Sequence, residues 1–211
     1  MERIDFKKLF KELYSPPSRT PVVIAVPKMS FLMIDGKGDP NTSAEYRAAI
    51  ETLYALSYTL KFMLKQAGVV DYTVGPLEGL WWTDETGAIS TEDKERFQWT
   101  AMMMQPKQVT KAWLDKAIAA AKKKRDLPAL TKLRFESYDE GRCVQIMHIG
   151  PWAAEAPTIT RLHEFAKEKG YSLRGKHHEI YLGDPRRTAP EKLRTVIRQP
   201  VKWSLANQPR D

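Results

Sequence analysis

Four groups that can carry or receive a proton fall close together in the stretch HHEIYLGDPRR: His177, His178, Glu179 and Tyr181. Read as a strand, the alternation sets His177, Glu179 and Tyr181 on one face and His178, Ile180 and Leu182 on the other. A carboxylate inside a strand otherwise written for burial is costly without a partner. It is exposed at a sheet edge, paired with an arginine, or held for function as a base or a counter-charge, and spacing alone leaves the three open. A second carboxylate of this kind, Glu78, lies in PLEGLWW.

The other reactive groups point to less. His148, in QIMHIGPW, is a candidate proton carrier, although a lone strand histidine is more often a satisfied core residue. His177 and His178 lack a second ligand pair at metal spacing, so no metal is expected. Cys143 lies among Val144 and Ile146 and reads as an inert core thiol. The glycines of IDGKGDP resemble a phosphate loop but lack its spacing and its lysine-serine ending.

Elements to position these groups can be read from the periodicity. Pro16, Pro17 and Pro21 punctuate an N-terminal arm over residues 1–21. A first strand is expected over Lys28 to Asp39, then Ser43 as the N-cap of a long amphipathic helix from Ala44 to Gln66, stopped by Gly68. DYTVGPLEGLWWTDE reads as a strand with a Gly-Pro irregularity and RFQWTAMMMQP as its antiparallel neighbour, with a turn or loop in DETGAISTEDKE between them. A connecting helix follows in Thr110 to Asp126, stopped by Pro128.

The same order then recurs: strands around a turn at Asp139 to Gly141, a helix in EAPTITRLHEFAKEKG, a strand in HHEIYLGDP and a last strand in KLRTVIRQPV. The expected fold is α+β, with tandem pseudo-twofold βαββ repeats, an antiparallel sheet with helices packed on one face, and a ligand cleft between the repeats. Repeat one spans residues 22–106, the connecting helix 110–126, repeat two 130–201 and a C-terminal tail 202–211.

The duplication pairs PLEGLWW with HHEIYLG and makes Glu78 and Glu179 equivalent. With helices on one face, Leu77, Ile180 and Leu182 are expected to look toward them. Glu78, Leu80, Trp82, Glu179 and Tyr181 then look the other way, into the cleft. Trp82, Trp113, Trp152 and Met103 lie in segments able to border it, although strand Trp and Met residues are more often core.

Composition narrows the function classes. The 211 residues are 42% hydrophobic and 28% charged, which fits a folded globular chain rather than a disordered one. One cysteine excludes an internal disulfide and suits a reducing compartment. No apolar run reaches transmembrane length and MERIDFKKLFKELY is no signal peptide, so a soluble cytoplasmic protein without a membrane partner is expected. The net charge of +8 invites a nucleic-acid reading. Its densest run, Lys122 to Arg125, closes a helix, where a basic cluster is ordinarily a solvated end. No nucleic-acid-binding signature accompanies it, and nucleic acid is not an expected partner.

Several stretches taken together, MIDGKGDPN, DYTVGPLEGLWW, MMMQP, CVQIMHIGPW and HHEIYLGDPRRTAPEKLRTVIRQPV, resemble stand-alone proteins of the GyrI-like small-molecule-binding family, over about Val22 to Val201. That family is related to the SOUL haem-binding fold and to effector domains of multidrug-sensing transcription regulators. The resemblance implies a pair of βαββ repeats. It also implies a strand glutamate, matched here by Glu179 with Tyr181 beside it, that meets aromatic drug-like ligands.

Some stand-alone members are cyclopropanoid cyclopropyl hydrolases, which open the cyclopropane of DNA-alkylating natural products of the duocarmycin and yatakemycin type. On that resemblance Glu179 deprotonates water, and Tyr181 or an imidazole donates to the substrate carbonyl. Trp82, Trp113 and Trp152 flank the flat polycycle, Met103 and His148 contact it, and Glu78 shares the base role. Alternative readings are a non-catalytic multidrug-sequestering protein and a gyrase-inhibitor-like protein. A transcription-factor role loses weight because only about 21 residues precede the fold. No cofactor is expected, haem included, and the chain is expected to be a monomer or weak dimer that detoxifies aromatic or cyclopropane-bearing small molecules.

Overall fold

The computed structural model describes residues 3–83 and 96–204. The turn expected at 84–95 and the tail beyond 204 lie outside the described residues. In chain order the elements begin with β1 (Arg3–Ile4), α1 (Phe6–Leu9), α2 (Lys11–Tyr14), β2 (Val22–Val26), β3 (Met29–Lys37) and α3 (Ala44–Gln66). They continue with β4 (Asp71–Tyr72), β5 (Leu77–Trp82), β6 (Gln98–Gln105), α4 (Lys111–Lys122) and β7 (Arg134–Tyr138). The last are β8 (Gly141–Ile149), α5 (Ala156–Glu168), β9 (Tyr171–Leu173), β10 (His177–Tyr181) and β11 (Arg194–Trp203). The α+β class with βαββ occurring twice is what the chain adopts. The sequence reading starts its strands at Lys28 and omits β2, a β-branched run enclosed by Pro21 and Pro27.

The chain forms two compact units, residues 1–11 with 29–138 and residues 12–28 with 139–211. In the first, β5, β6, β3 and β7 pair in that order, all antiparallel. Ser43 caps α3, its Oγ accepting from the Tyr46 N–H at 3.1 Å, and Gly68 just beyond the helix takes φ +69°. The buried stripe Tyr46, Ala49, Leu53, Leu56, Leu60 and Leu64 packs α3 on the sheet. Its first aromatic meets two more: Tyr46 lies 4.9 Å from Trp99 and 5.6 Å from Trp81. Those indoles lie flat over the neighbouring backbone because Gly36 and Gly79 leave it bare. A Cβ on Gly36 would sit 2.2 Å from the Trp99 ring, and one on Gly79 2.7 Å from Trp81 Nε1.

In the second unit β2, β8, β11 and β10 pair in order, again antiparallel, and β9 adds to the far end of β11. Val144, Ile146, Leu162, Ala166, Ile197 and Val201 form the apolar layer that seats α5 on this sheet. Here the helix is followed by a strand rich in titratable groups.

Candidate functional site

The functional candidate is built on β10. Glu179 stands opposite Ile197 and Tyr181 opposite Thr195 on β11. Directly opposed residues of an antiparallel pair share a face, and Ile197 belongs to the layer covered by Leu162 and Ala166 of α5. His177, Glu179 and Tyr181 therefore project toward α5. This corrects the expected facing, in which Ile180 looked at the helices and Glu179 away. Alternation separates the residues into two sets but does not say which set a helix covers. Ile180 finds its burial on the opposite face, level with Val196 and Met147.

Both oxygens of Glu179 are engaged. The Tyr181 hydroxyl donates to Oε2 at 2.8 Å and the His177 Nε2–H donates to Oε1 at 3.3 Å. Burial by itself would raise this carboxyl. The His177 hydrogen bond and charge, with the Tyr181 hydrogen bond, outweigh it and hold Glu179 below its ordinary value. The side chain keeps 16% of its surface, so this carboxylate is partly open.

The segment between β8 and α5 brings the remaining parts. Gly150, at φ +136°, turns the chain out of β8 and donates its N–H to Leu193 O. His148 Nε2 donates to Pro151 O at 3.2 Å, and its Nδ1 pairs with the Thr158 hydroxyl at 3.1 Å, pinning the turn from both sides. Trp152, in the short 3-10 helix Trp152–Ala154, stands edge-on to Tyr181 at 5.4 Å and donates its indole N–H to Thr195 Oγ1 at 3.2 Å. It remains 40% exposed, an aromatic wall beside the carboxylate.

Glu155 ends that turn at the N-cap position of α5 but makes no capping bond. Its carboxyl is buried, 4% exposed, within hydrogen-bonding reach of Thr195 and Glu179, and its Oε1 has no partner. Burial and the repulsion of Glu179 push the group well above the ordinary carboxylate range, so it is protonated at neutral pH. The positive end of α5 favours the anion by at most about 2 kcal/mol, less than the several kcal/mol that burying an uncompensated charge costs. The sequence reading missed Glu155. Its signal was present: a helix start marked by Pro157 and preceded by a glutamate instead of a short capping side chain. His163 of α5 completes the cluster, lowered to about 4 by burial and by His177, with its Nε2 unpartnered.

Comparison with known families places a GyrI-like small-molecule-binding domain over residues 19–202. The chain belongs to the GyrI-like small-molecule-binding domain family. An uncharacterized conserved protein from Listeria innocua is 42% identical, with 94% of this chain and 100% of that one covered at a TM-score of 0.87. A protein from the same organism described as a hydrolase is also 42% identical, covering 95% and 100% at a TM-score of 0.85. The EcmrR C-terminal domain, 12% identical over 88% of this chain and 98% of its own at a TM-score of 0.55, shares the fold alone. No curated protein matches the sequence.

Of the other expected site residues of this GyrI-like domain, Glu78, Trp82, Met103 and Trp113 belong to the first unit. In the first unit Trp81 pairs with Trp99 under α3, which puts Glu78, Leu80 and Trp82 on the face away from that helix. Glu78 and Glu179 thus sit on opposite faces relative to their own helices, and the expected equivalence slips by one residue. Glu78 is buried there, and Trp82 Nε1 donates to Gln98 Oε1 at 3.1 Å. Met103 is a fully buried core residue beneath α3, its sulfur 3.7 Å from Ser57 Oγ. Trp113 lies on α4 with Lys116 Nζ 4.9 Å from its ring centre. His148, in the second unit, has both ring nitrogens committed to the turn.

Behind β10, on the face away from α5, a second set of charges is sealed in. Glu140 accepts from His178 Nδ1 at 2.9 Å and from Arg198 at 3.0 Å, and Arg198 also donates to Gln145 Oε1 and to Leu13 O. Burial works to raise Glu140, but His178 and Arg198 prevail and lower it to about 2. This network ties the segment around Leu13 to the sheet and fixes the strand whose other face carries Glu179.

Proposed function

We propose that this GyrI-like domain binds flat, electrophilic aromatic small molecules and hydrolyses the cyclopropane of DNA-alkylating examples, which makes it a detoxifying enzyme. The observation that carries this reading is the Glu179 carboxylate, kept ionised by His177 and Tyr181 and left partly open beside the exposed ring of Trp152. The likeness to a protein described as a hydrolase at 42% identity supports an enzyme over a sponge.

The chemistry suits such a group. A spirocyclopropane conjugated to a dienone opens when water attacks its CH2 carbon. The strained carbon–carbon bond breaks, its electron pair aromatises the ring, and the carbonyl oxygen becomes a phenol. Glu179 takes the proton of the attacking water. Trp152 offers its exposed face to the polycycle, and the edge-on Tyr181 fixes the indole.

The test is incubation of the purified protein with a yatakemycin-type alkylator, followed by mass spectrometry for addition of water. Product over many equivalents, lost in Glu179→Gln, is the expected result. Saturable binding with unchanged ligand would leave a sequestering protein, in which the carboxylate serves as a counter-charge.

A further inference from the structure

Glu155 and Glu179 touch, and two carboxylates in contact cannot both ionise at neutral pH. The neighbours decide where the shared proton resides. Glu179 receives the His177 N–H and the Tyr181 O–H, so it is the anion, and Glu155 is left with the proton. A chain of donors then runs through the cluster. The Trp152 N–H donates to Thr195, Thr195 and Glu155 are within hydrogen-bonding reach of each other, and Glu155 is next to Glu179. The Tyr181 hydroxyl hydrogen is engaged by Glu179 and is not the obvious donor to a substrate. The unpartnered atom in this chain is Glu155 Oε1, a buried acceptor.

We propose that Glu155 is a second catalytic residue, whose unpartnered carboxyl oxygen seats the attacking water while the adjacent Glu179 deprotonates it. The proposal rests on the hydrolase reading above. With its proton turned to Glu179, the carboxylic acid presents Oε1 as a carbonyl-like acceptor for one hydrogen of the water. The other hydrogen faces the base. As the water oxygen bonds to the CH2 carbon, its proton passes to Glu179. The electron pair of the broken carbon–carbon bond ends on the dienone oxygen, which takes a proton from solvent, and Glu179 returns its proton to solvent. Water is the only reactant consumed.

Glutamine mimics a protonated glutamate, keeping the carbonyl acceptor and a donor toward Glu179, whereas leucine keeps only the bulk. Titratable groups on this face of the unit include Glu179, His177 and Tyr181 on β10, His148 on β8, His163 on α5 and Tyr171 on β9. Turnover of the alkylator by wild type, Glu155→Gln, Glu155→Leu and Tyr181→Phe is measured against pH, with ligand binding followed in parallel. Glu155→Leu is expected to bind ligand and lose about 100-fold or more in turnover. Glu155→Gln is expected to stay within about 10-fold of wild type and to lose the alkaline decline that Tyr181→Phe retains.

An active Glu155→Leu, an inactive Glu155→Gln that still binds ligand, or an alkaline decline unchanged in Glu155→Gln would each overturn the assignment. The proton itself is read by infrared difference spectroscopy as a carboxylic-acid carbonyl band missing from Glu155→Gln. Its absence in wild type overturns the assignment even where turnover is intact. Wild-type protein without turnover removes the hydrolase reading itself.

Discussion

On β5 the positions facing the helix are Leu77, Gly79 and Trp81, and on β10 they are His177, Glu179 and Tyr181. The two strands occupy the same place in a βαββ unit, yet one layer is filled by indoles and a tyrosine and the other by proton carriers. In the first, packing does the work: Trp81 and Trp99 meet Tyr46, and glycines make room. In the second, Glu179 accepts from His177 and Tyr181, Trp152 donates to Thr195, and two buried atoms among the described residues of this face, Glu155 Oε1 and His163 Nε2, have no partner. A repeated frame does not carry repeated chemistry. The face onto which a carboxylate turns, and what lies on it, separates Glu179 from Glu78.

The sharpest way to break this comparison is to neutralise each glutamate in turn. Glu179→Gln is expected to cost about 10²- to 10⁴-fold in turnover. Glu78→Gln, on the face away from α3, is expected to leave turnover within a few-fold. Equal losses in steady-state assays would restore the equivalence of the two positions.

Next in size is the contrast between two arginines. Arg198 is sealed with Glu140 and His178, whereas Arg134 meets Asp35 and Glu136 at a half-exposed edge of the first unit. Arg198→Met strands a buried carboxylate and should lower unfolding free energy by about 3–5 kcal/mol. Arg134→Met should cost under about 1 kcal/mol, both read from urea titrations.

The buried carboxyls also predict opposite pH limbs. Glu140, lowered from 4.5 to about 2, contributes stability that is present above its unfolded value and lost as pH falls through 2. Glu155 is raised, so its contribution is full below the ordinary carboxylate value and is lost as pH rises through the raised one. Urea midpoints against pH should lose the acid limb in Glu140→Gln and soften on the alkaline side in Glu155→Gln.

Smaller effects sharpen the packing side. Gly79→Ala places a Cβ against the Trp81 indole and should destabilise by about 1–3 kcal/mol without touching the second unit's chemistry. Trp152→Ala removes a ring that is already 40% exposed. It is expected to change stability little while weakening aromatic ligands about 10-fold, or about 1.4 kcal/mol, by fluorescence titration. A loss of stability as large as that of affinity would make Trp152 core.

Much of this protein was legible in its sequence. Apolar spacing with Ser43 and Gly68 at its ends determined α3 to the residue, because caps and periodicity are local. The order of elements disclosed the βαββ pattern, and the Glu179–Tyr181 alternation placed carboxylate and phenol side by side. Tertiary structure alone decided which face α5 covers, since alternation is symmetric until a helix lands on one side. It also decided that Met103 is buried in the core, that both ring nitrogens of His148 are taken up by the turn, and that Glu155 comes within reach of Glu179, a meeting between the start of a helix and a strand 24 residues later. Pairings of that kind depend on register across the sheet. A one-residue slip between β5 and β10 separated a correct reading of each strand from a correct reading of their equivalence.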